Sequence, residues 1–591
     1  MRYATRLIIT IRQLLNLFAI RVGFNGVYEE SRPVYDDLHI DRAFYNKASW
    51  ILTPSAYAED KLFALKPTNG NGDLTVVRAS AATRVNSSGF VEDSCYNLAG
   101  YSQQFDNAYW TKANVNVTPN DTTAPDGTVT ADKLLETTTN GAHYALKSIV
   151  TSGYIRVSFY IKPIGGRTKF KIRSESPQAP TSASFLLTGS GSVTAGTGSV
   201  EALNNGWYLC EAHSSAVGTG ALGYFLVQSL DDLGNESFIG DVTKGMYLWQ
   251  AQVVNGITKR IDLPTTDRLD VPRIDHSTGE PAILVEPQRT NLLTYSNNFN
   301  DAIWQVVSAT KTVNTAISPS GGIGACRFLT LANTTSYLYI AALAISTATV
   351  YTVSAYIKTN GTGLNDVRLY TTTGGTSINF TATNQWQKIS YTFTSTGTTT
   401  NIGFRGVTGV ETDVLVWGIQ LEVGAYPTSY IPTTTAAVTR NADTFTRNNI
   451  YTNGLITASG GSWYVELENN LALTRDNNVA GLYLDQSLGA NGFAIRNNAA
   501  GQQLTISKYV ASVRSELYTT LTNTVKILIN WNGATADVFV NGVKVINSSV
   551  FTVINMEVLG HTAAIDVPKY IKAMYLFPTP ISDAEAIALT T

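Results

Sequence analysis

The acidic side chains that could support hydrolysis are concentrated in one short stretch. Asp231, Asp232 and Glu236 cluster there, with Gly234 and Asn235 between them. Hydrolysis of a glycosidic bond needs two carboxylates that converge on it, whereas glycine and asparagine between acids are typical of a solvated loop. The sequence also has no Gly-x-Ser-x-Gly elbow, phosphate-binding loop or His-Glu-x-x-His motif. We therefore expect no enzymatic activity.

The residues that most often bind metals are too scattered to predict a metal site. The three cysteines are odd in number and far apart, which predicts neither a disulfide framework nor metal-ligand spacing. Asp537, Asn541 and Asp566 have the oxygen ligands that Ca²⁺ prefers, but no dense Asp/Asn loop surrounds them and roles at turns and strand ends are expected. No cofactor is predicted, and whether a metal is bound stays open. The cysteines are Cys95, Cys210 and Cys326.

Aromatic side chains are the strongest candidates for contact with a ligand. A sugar ring presents an apolar face of axial C–H groups that stacks well on tryptophan or tyrosine. Tryptophans that recur at matched places in two segments favour a shared packing role: Trp110, Trp207, Trp249, Trp304, Trp386 and Trp417. Aromatic residues that do not recur are better candidates for exposed carbohydrate contact, and the ones selected are Tyr109, Tyr208, Tyr224, Tyr339 and Tyr370.

The recurring tryptophans belong to an internal duplication. Residues 97–110 (NLAGYSQQFDNAYW) match 291–304 (NLLTYSNNFNDAIW) at identical spacing, and VSFYIK at 157–162 matches VSAYIK at 353–358. Two further matches follow in the same order. The chain is therefore predicted to comprise an N-terminal segment at 1–96, module 1 at 97–268, a linker at 269–290, module 2 at 291–446 and a C-terminal domain at 447–591.

The modules and the C-terminal domain have the residue patterns of β-strands. Aromatic and β-branched residues dominate 154–161 and 351–357, and turns rich in Gly, Thr and Ser separate such runs. In the C-terminal domain, Asn-Gly pairs at 532–533 and 541–542 predict consecutive hairpins. Ser582 and Glu585 predict a capping box and a short terminal helix. The predicted fold is all-β: tandem antiparallel β-sandwich (jelly-roll) domains after a short amphipathic helix and an extended strap.

The N-terminal segment is expected to dock onto a partner. An apolar stripe at helical spacing predicts an amphipathic helix, although packing on the same chain explains the stripe equally well. Arg12 and Gln13 interrupt the apolar run, so neither a secretion signal nor a membrane span is expected. The stretch 53–97 is predicted to be an extended strap that gains its order from partner subunits. The stripe consists of Ile8, Ile11, Leu14, Leu15 and Phe18.

The overall charge excludes one class of partner. Lys and Arg number 42, Asp and Glu number 44, and the formal net charge is -2. Such a chain lacks the broad positive field that holds a phosphate backbone. Nucleic acid is therefore not an expected partner.

These motifs carry two family resemblances. The run ADVFVNGVKV at 536–545, followed by the terminal capping box, resembles the laminin-G/concanavalin-A-like fold. The repeated modules resemble the carbohydrate-binding-module-type jelly rolls of phage tail and fibre proteins, through their opening motif, YTVSAYIK at 351–358 and VWGIQLEVGAYPTSYIPT at 416–433. Module 1 lacks the closing TSYIPT. The resemblance implies a virion fibre or spike protein on the head or the tail, and a homotrimer.

The resemblance implies a non-enzymatic function. Residues 1–96 would dock to capsid or tail proteins of the same particle, and the sandwiches would face host-surface glycans, with many weak contacts acting together. The protein would be made in the host cytoplasm and reside on the particle surface. A virion polysaccharide depolymerase, either a glycoside hydrolase or a lyase, is the alternative and would need a catalytic β-helix or an acidic groove. A bacterial surface adhesin is a third possibility and would need a secretion signal.

Overall fold

The chain is built almost entirely of antiparallel β-strands. The computed structural model describes residues 41–175, 181–214, 218–256, 260, 262–330, 335–361, 365–375, 377–407, 409–469, 482–484, 491–498, 503–520, 524–553, 555–561 and 569–591. Contacts divide these residues into unit 1, Tyr96–Arg268, and unit 2, which combines 41–95 with Leu269–Thr591. The all-β class with tandem antiparallel sandwiches is confirmed. The predicted docking residues Ile8, Ile11, Leu14, Leu15 and Phe18 lie outside the described residues.

The strands up to residue 255 belong to two parts of the chain. Residues 41–95 hold α1 (Arg42–Lys47), β1 (Trp50–Leu52), β2 (Tyr57–Ala58), β3 (Lys61–Leu62), β4 (Leu74–Val77), β5 (Thr83–Val85) and β6 (Val91–Asp93). Unit 1 holds β7 (Thr111–Ala113), β8 (Val115–Thr122), β9 (Ala131–Glu136), β10 (Asn140–Gly141), β11 (His143–Gly153), β12 (Ile155–Ile164), β13 (Lys169–Glu175), β14 (Thr181–Leu186), β15 (Ser192–Gly196), β16 (Gly198–Ala202), β17 (Tyr208–His213), β18 (Gly218–Ser229), β19 (Phe238–Ile239) and β20 (Gly245–Asn255), with a 3₁₀ turn at Asn204–Gly206.

The rest of unit 2 continues this order. The part that includes module 2 holds β21 (Ile274–Asp275), β22 (Ala282–Val285), β23 (Arg289–Asn291), β24 (Trp304–Val307), β25 (Ala309–Ile317), β26 (Ile323–Thr330), β27 (Tyr337–Ala344), β28 (Val350–Thr359), β29 (Asp366–Thr371), β30 (Phe380–Thr381), β31 (Gln387–Thr394), β32 (Thr399–Gly406), β33 (Thr412–Val423) and β34 (Val438–Arg440). The C-terminal part holds β35 (Thr444–Asn448), β36 (Gly461–Asn469), β37 (Leu482–Leu484), β38 (Gly492–Asn498), β39 (Gln503–Val510), β40 (Val513–Thr520), β41 (Thr524–Trp531), β42 (Thr535–Val540), β43 (Val543–Val550), β44 (Val558–His561), β45 (Lys569–Phe577) and α2 (Asp583–Thr590).

Each predicted module forms a two-sheet sandwich. In unit 1 the sheets run β15-β14-β13-β18-β11-β7 and β16-β17-β12-β20-β9-β8. In module 2 they run β24-β27-β32-β29-β30 and β25-β26-β33-β28-β31. Trp110 of unit 1 lies 4.8 Å from Phe105 between ring centroids, and Trp304 of module 2 lies 4.7 Å from Phe299. The same aromatic pair therefore fills the core of both sandwiches.

The duplicated motif residues make duplicated hydrogen bonds. Nδ2 of Asn97 donates to the Ala251 carbonyl at 3.0 Å, and its Oδ1 accepts from the Val253 N–H at 3.0 Å. Asn291 likewise accepts from the Leu421 N–H at 3.1 Å. Each asparagine thus fastens the opening segment to the last long strand of its sandwich. These buried amide contacts explain why the opening motif recurs with identical spacing.

The packing role predicted for the recurring tryptophans is confirmed for five of the six. Trp386 is only half-buried. The indole N–H of Trp110 donates to the Tyr101 carbonyl at 3.0 Å, and that of Trp304 donates to the Tyr295 carbonyl at 3.0 Å. The buried set comprises Trp110, Trp207, Trp249, Trp304 and Trp417.

The closing motif of module 2 serves a structural purpose. The Glu422 carboxylate accepts from the Thr428 N–H at 3.0 Å. The Gln420 amide accepts from the Ile431 N–H at 3.0 Å, and Ser296 shares a hydroxyl contact of 2.6 Å with Tyr430. The segment from Glu422 to Ile431 is thereby fastened along β33, and the motif needs no ligand to explain it.

The C-terminal domain is a third sandwich. One sheet runs β21-β22-β45-β36-β41-β42-β43, with β1 also paired to β45, and the other runs β2-β3-β4-β35-β44-β37-β38-β39-β40. Trp463 and Trp531 are buried between the sheets. The predicted hairpins at the two Asn-Gly pairs are present as β41-β42-β43. The Ser582–Glu585 capping box is confirmed at the start of α2, and neither described helix has the length and apolarity needed to cross a membrane.

The strap prediction is wrong for the described residues between 53 and 97. Strands β2, β3 and β4 extend a sheet of the C-terminal sandwich, and the β5–β6 hairpin packs its Val85 and Val91 against Trp417 of module 2. Leu74 and Val76 alternate with exposed residues and enter the sandwich core. This alternation is the strand signal that the sequence prediction missed. The predicted linker likewise contributes β21 and β22.

A buried ion network joins three segments of unit 2. Arg78 donates to Asp443 at 2.9 Å, and Arg273 pairs with both Asp443 and Glu286, the latter at 2.7 Å. Arg440 also pairs with Glu286. All five side chains are at most 5% exposed. The network ties residues of 41–95 to the entry and exit strands of module 2.

Candidate carbohydrate-binding surface

One sheet of module 2 exposes a group of tyrosines on its outer face. The strands alternate, so Leu338 and Leu369 point into the core and are fully buried, while Tyr337, Tyr339 and Tyr370 lie on the opposite face and are half-buried. We refer to these three residues as the tyrosine surface. Strands β27 and β29 provide them, and β32 lies between.

The three rings are close enough to act together. The centroids of Tyr337 and Tyr370 are 4.6 Å apart at an interplanar angle of 45°. Tyr339 lies 6.2 Å from Tyr337 and 6.4 Å from Tyr370, edge-on to both. These separations are those of interacting aromatic rings. The cluster therefore holds ring faces in fixed, different orientations.

Gly403 separates Tyr339 from Tyr370 across the sheet. The register places it directly opposite both tyrosines. A Cβ at this position would lie 2.1 Å from the Leu338 carbonyl oxygen, so a larger residue would push β32 away from β27. The glycine keeps the strands close and leaves no side chain between the two rings.

Polar groups line the same face. The Arg405 guanidinium carbon lies 5.7 Å from the Tyr337 centroid, a cation–π distance. Arg368 stands directly opposite Arg405 and donates to the Asn379 amide oxygen at 2.6 Å. Burial raises the pKa of Tyr370, and the neighbouring Tyr337 hydroxyl adds to this rise. Like any tyrosine phenol, it is protonated at neutral pH and can donate a hydrogen bond.

This combination suits binding of a polar ring. Stacking on tyrosine covers the apolar face of a sugar, and guanidinium, amide and phenol groups satisfy its oxygens. Asp366, the acidic side chain of β29, accepts from the Thr381 hydroxyl at 2.5 Å. A lone carboxylate held in this way does not provide the acid pair that glycosidic hydrolysis needs.

The corresponding sheet of unit 1 has different chemistry. Its cross-strand row is Tyr144, Gln228 and Lys171. Glu236 accepts from Lys171 at 2.6 Å and from Gln228 at 3.0 Å, and the hydrogen bond from Lys171 lowers the pKa of Glu236. Tyr224 lies on this sheet and its hydroxyl accepts from Arg173 at 2.8 Å. The charged side chains described on the unit 1 face are therefore paired with one another. Its tyrosines, Tyr144 and Tyr224, do not form a ring cluster like that of module 2.

The structure brings together two of the five tyrosines selected from sequence, Tyr339 and Tyr370. Tyr109 is half-buried against the unit 1 core, accepts from the Gly100 N–H at 2.9 Å and lies under the Lys147 ammonium. Tyr208 is 8% exposed within that core, which leaves no ring face open for stacking. Tyr224, like Tyr109 and Tyr208, belongs to unit 1, whereas Tyr339 and Tyr370 belong to module 2 in unit 2.

The acidic cluster of unit 1 behaves largely as predicted. Asp231 accepts from the N–H groups of Leu233 and Asn235 and so closes a turn, and the Asp232 side chain is 72% exposed. Glu236 lies in the same loop with its side chain 40% exposed, and it reaches back to the sheet to accept from Lys171. The solvated-loop prediction is therefore confirmed for all three acidic residues.

The possible calcium ligands also have local roles. Asp537 accepts from the Ser548 N–H at 2.5 Å and pairs with Lys544 at 3.0 Å. Asn541 accepts from the Lys526 N–H at 2.9 Å and has the positive φ of a hairpin turn. Asp566 lies outside the described residues. Within the ranges that the structure describes, no group of three or more metal-ligating side chains is present.

Sequence reasoning missed Tyr337, Arg368 and Arg405. The alternation Tyr337-Leu338-Tyr339 was a usable signal, because residues two apart on a strand share one face. The two arginines had no such signal, since only strand pairing places them beside the rings. The tyrosine surface and its arginines come together through strand pairing, which the sequence of any one strand does not indicate.

No family model matches the chain, and no curated protein matches it. Among solved structures, it is similar to the N-terminal CBM22-1–CBM22-2 tandem domain from Paenibacillus barcinonensis Xyn10C, at 12% identity over 58% of this chain and 99% of that one, with a TM-score of 0.20. It is also similar to a Trypanosoma rangeli sialidase in complex with sialic acid, at 10% identity over 87% of this chain and 97% of that one, with a TM-score of 0.18. Both TM-scores are low, so neither similarity bears on function.

Proposed function

We propose that this chain is a carbohydrate-binding protein and that the tyrosine surface of module 2 is its binding site. The observation that carries the proposal is the packing of Tyr337, Tyr339 and Tyr370 on one outer sheet face, with the Tyr337–Tyr370 centroids 4.6 Å apart. The face also supplies guanidinium and phenol groups for sugar oxygens. A single surface of this size favours weak binding that multiple copies strengthen.

Removing two rings of the tyrosine surface should weaken glycan binding by at least tenfold. Each lost stacking contact removes about 0.5–1.5 kcal/mol beyond the buried area, and about 1.4 kcal/mol corresponds to tenfold in Kd. The measurement compares the full chain with Tyr337→Ala/Tyr370→Ala on a glycan array, followed by titration of the best ligand. Tyr154→Ala, which removes a ring that is 44% exposed in unit 1, is the matched control and should bind normally. Equal binding by the double variant would refute this assignment of the site.

We further propose that the protein is a non-enzymatic fibre on the surface of a phage particle. The support is the resemblance of its modules to those of phage tail and fibre proteins, together with the duplicated sandwich architecture. Under this proposal, N-terminal residues dock to capsid or tail proteins and the sandwiches face host-surface glycans. Release of reducing ends or unsaturated sugars from host polysaccharide by the purified chain would favour the depolymerase alternative.

A fibre of this kind should be a homotrimer in solution. Light scattering of the full chain is expected to give three times the chain mass of 63.8 kDa. The informative truncation removes residues 1–40, because β1 to β4 belong to the C-terminal sandwich and must be kept. A truncated trimer would mean that the sandwiches assemble the fibre. A monomer in both cases would contradict trimerisation by the isolated chain.

A further inference from the structure

We infer that the saccharide bound by the tyrosine surface carries a carboxylate. This inference rests on the proposed glycan-binding function and specifies its substrate class. It arises from the charges beside the rings rather than from the rings themselves. The relevant residues are Arg368 and Arg405.

Arg368 and Arg405 form a like-charged pair on adjacent strands. They are directly opposite in the register of β29 and β32, an arrangement that is destabilising when nothing neutralises it. Within the described part of the chain, neither arginine forms a salt bridge, and the buried Nε of Arg405 has no hydrogen-bond partner. Asp366 lies two residues from Arg368 on the same face, and the contact its carboxylate makes is with the Thr381 hydroxyl. The described face therefore carries two guanidinium groups and one carboxylate, and neither guanidinium is ion-paired.

Unit 1 shows how the same face is built when its charges are internally balanced. Lys171 and Arg173 occupy its central strand β13 and both reach Glu236, at 2.6 and 3.5 Å. Arg173 also pairs with Glu175 at 3.2 Å. Module 2 replaces this balanced network with two arginines and a ring cluster. We take this contrast between the two faces to indicate that a ligand supplies the negative charge that pairs with the arginines of module 2.

A sugar carboxylate fits this arrangement. A guanidinium binds a carboxylate through two parallel N–H···O bonds, which are stronger than bonds between neutral groups. The Arg405 guanidinium lies beside Tyr337, so a sugar stacked on the rings can place a ring carboxylate between the arginines. A neutral sugar leaves both charges unpaired and gains only the stacking.

The test is affinity electrophoresis of the full chain in gels that contain carboxylated polysaccharide. The probes are polygalacturonate, alginate, hyaluronan and polysialic acid. Carboxyl-reduced polygalacturonate and dextran are neutral references, and dextran sulfate tests general attraction to polyanions. Arg405→Gln removes one charge of the pair. Arg327→Gln is the control, because Arg327 lies on the other sheet of module 2 and is already paired with Asp413 at 2.7 Å.

The inference predicts retardation by at least one carboxylated probe and not by the neutral references. Arg405→Gln should weaken this binding about tenfold, as expected for a lost charge-assisted hydrogen bond, whereas Arg327→Gln should not. The melting temperature of Arg405→Gln should change little, because relief of like-charge repulsion offsets the lost cation–π contact with Tyr337. A stabilising structural role for Arg405 would lower it instead.

Three other outcomes overturn the inference in distinguishable ways. Retardation by neutral polysaccharide that Tyr337→Ala/Tyr370→Ala abolishes would leave the glycan-binding proposal intact and remove the carboxylate. Retardation by dextran sulfate that both arginine variants weaken equally would indicate attraction to any polyanion. No retardation by any probe, combined with no binding on the glycan array, would overturn the proposed function together with the inference.

Discussion

Glu286→Gln is expected to destabilise unit 2 by about 3–5 kcal/mol, the cost typical of removing one partner from a buried ion network. The substitution preserves shape and removes one of the two carboxylates that face Arg78, Arg273 and Arg440. Glu286 accepts from both Arg273 and Arg440 and also from the Ser429 hydroxyl at 2.6 Å. Two buried guanidinium groups would therefore lose a counter-ion in a region that water does not reach.

The electrostatics of the ion network explain why the expected loss in the free energy of unfolding is large. Burial alone would raise the pKa of Glu286, but the charges of Arg440 and Arg273 outweigh it and hold the pKa well below its ordinary value. The same balance between burial and the guanidinium of Arg273 lowers the pKa of Asp443. Both carboxylates therefore stabilise the fold in their charged form.

The measurement is urea unfolding of the full chain, with Glu280→Gln as the matched control. Glu280 is exposed on the turn before β22, so the control should change the free energy of unfolding by less than about 0.5 kcal/mol. The transition of unit 1 provides an internal reference, since the network lies entirely within unit 2. A Glu286→Gln protein as stable as the Glu280→Gln protein would show that the network contributes no net stability.

His561→Phe is expected to remove a pH dependence of about 1.4 kcal/mol per pH unit from the stability of unit 2 below pH 6.5. His561 is 1% exposed and stacks on Phe445 with ring centroids 5.4 Å apart. Burial, helped by the positive charge of Lys569, lowers the pKa of His561 to about 3. Folding therefore requires a neutral imidazole at this position.

The direction of the pH effect follows from that shift. Above about pH 6.5 the imidazole is neutral in the folded and the unfolded chain, and the stabilisation is complete. As the pH falls from about 6.5 towards 3, the unfolded chain takes up the proton first, and the free energy of unfolding declines. Glu286 and Asp443 add their own loss only below about pH 5, where the unfolded carboxylates begin to take up protons, so the window between about pH 5 and 6.5 reports on His561.

Unfolding of the wild type and of His561→Phe should be compared at pH 7, 6.5, 6, 5.5 and 5. Phe445→Leu is the matched control, because it trims the ring that stacks on His561 and should lower stability by an amount that does not depend on pH. The wild type and Phe445→Leu should lose stability in parallel as the pH falls, while His561→Phe stays nearly level. Parallel curves for all three proteins would contradict a buried neutral histidine.

The sequence predicted the elements whose signals are local. The Asn-Gly turns specify hairpins through their backbone preferences, and Ser582 with Glu585 specifies a helix start through reciprocal hydrogen bonds. The duplication could be recognised in the sequence because equivalent residues have the same structural role in both copies. Asn97 corresponds in this way to Asn291, and Trp110 to Trp304. Repeated residue types at repeated spacing reflect one packing solution used twice.

The pairing of strands that are far apart in the chain could not be predicted from the sequence in the same way. Strand β4 lies far along the chain from β35, its neighbour in the sheet, and nothing local to residues 53–97 indicates that partner. The prediction of a strap failed for this reason. The alternation of Leu74 and Val76 indicates a strand with one buried face, but it does not say which sheet buries it.

By itself, the sequence determined the all-β class, the duplicated modules and the packing role of most recurring tryptophans, because these depend on residue type and short-range spacing. Only the tertiary structure decided which tyrosines share a face and which charges are balanced. Tyr337 and Tyr370 are neighbours because β27 and β29 flank β32, and Arg368 meets Arg405 through strand register. The residues of a binding surface on a sheet come from several strands. Which residues become neighbours is therefore decided by the pairing of strands that are distant in the chain.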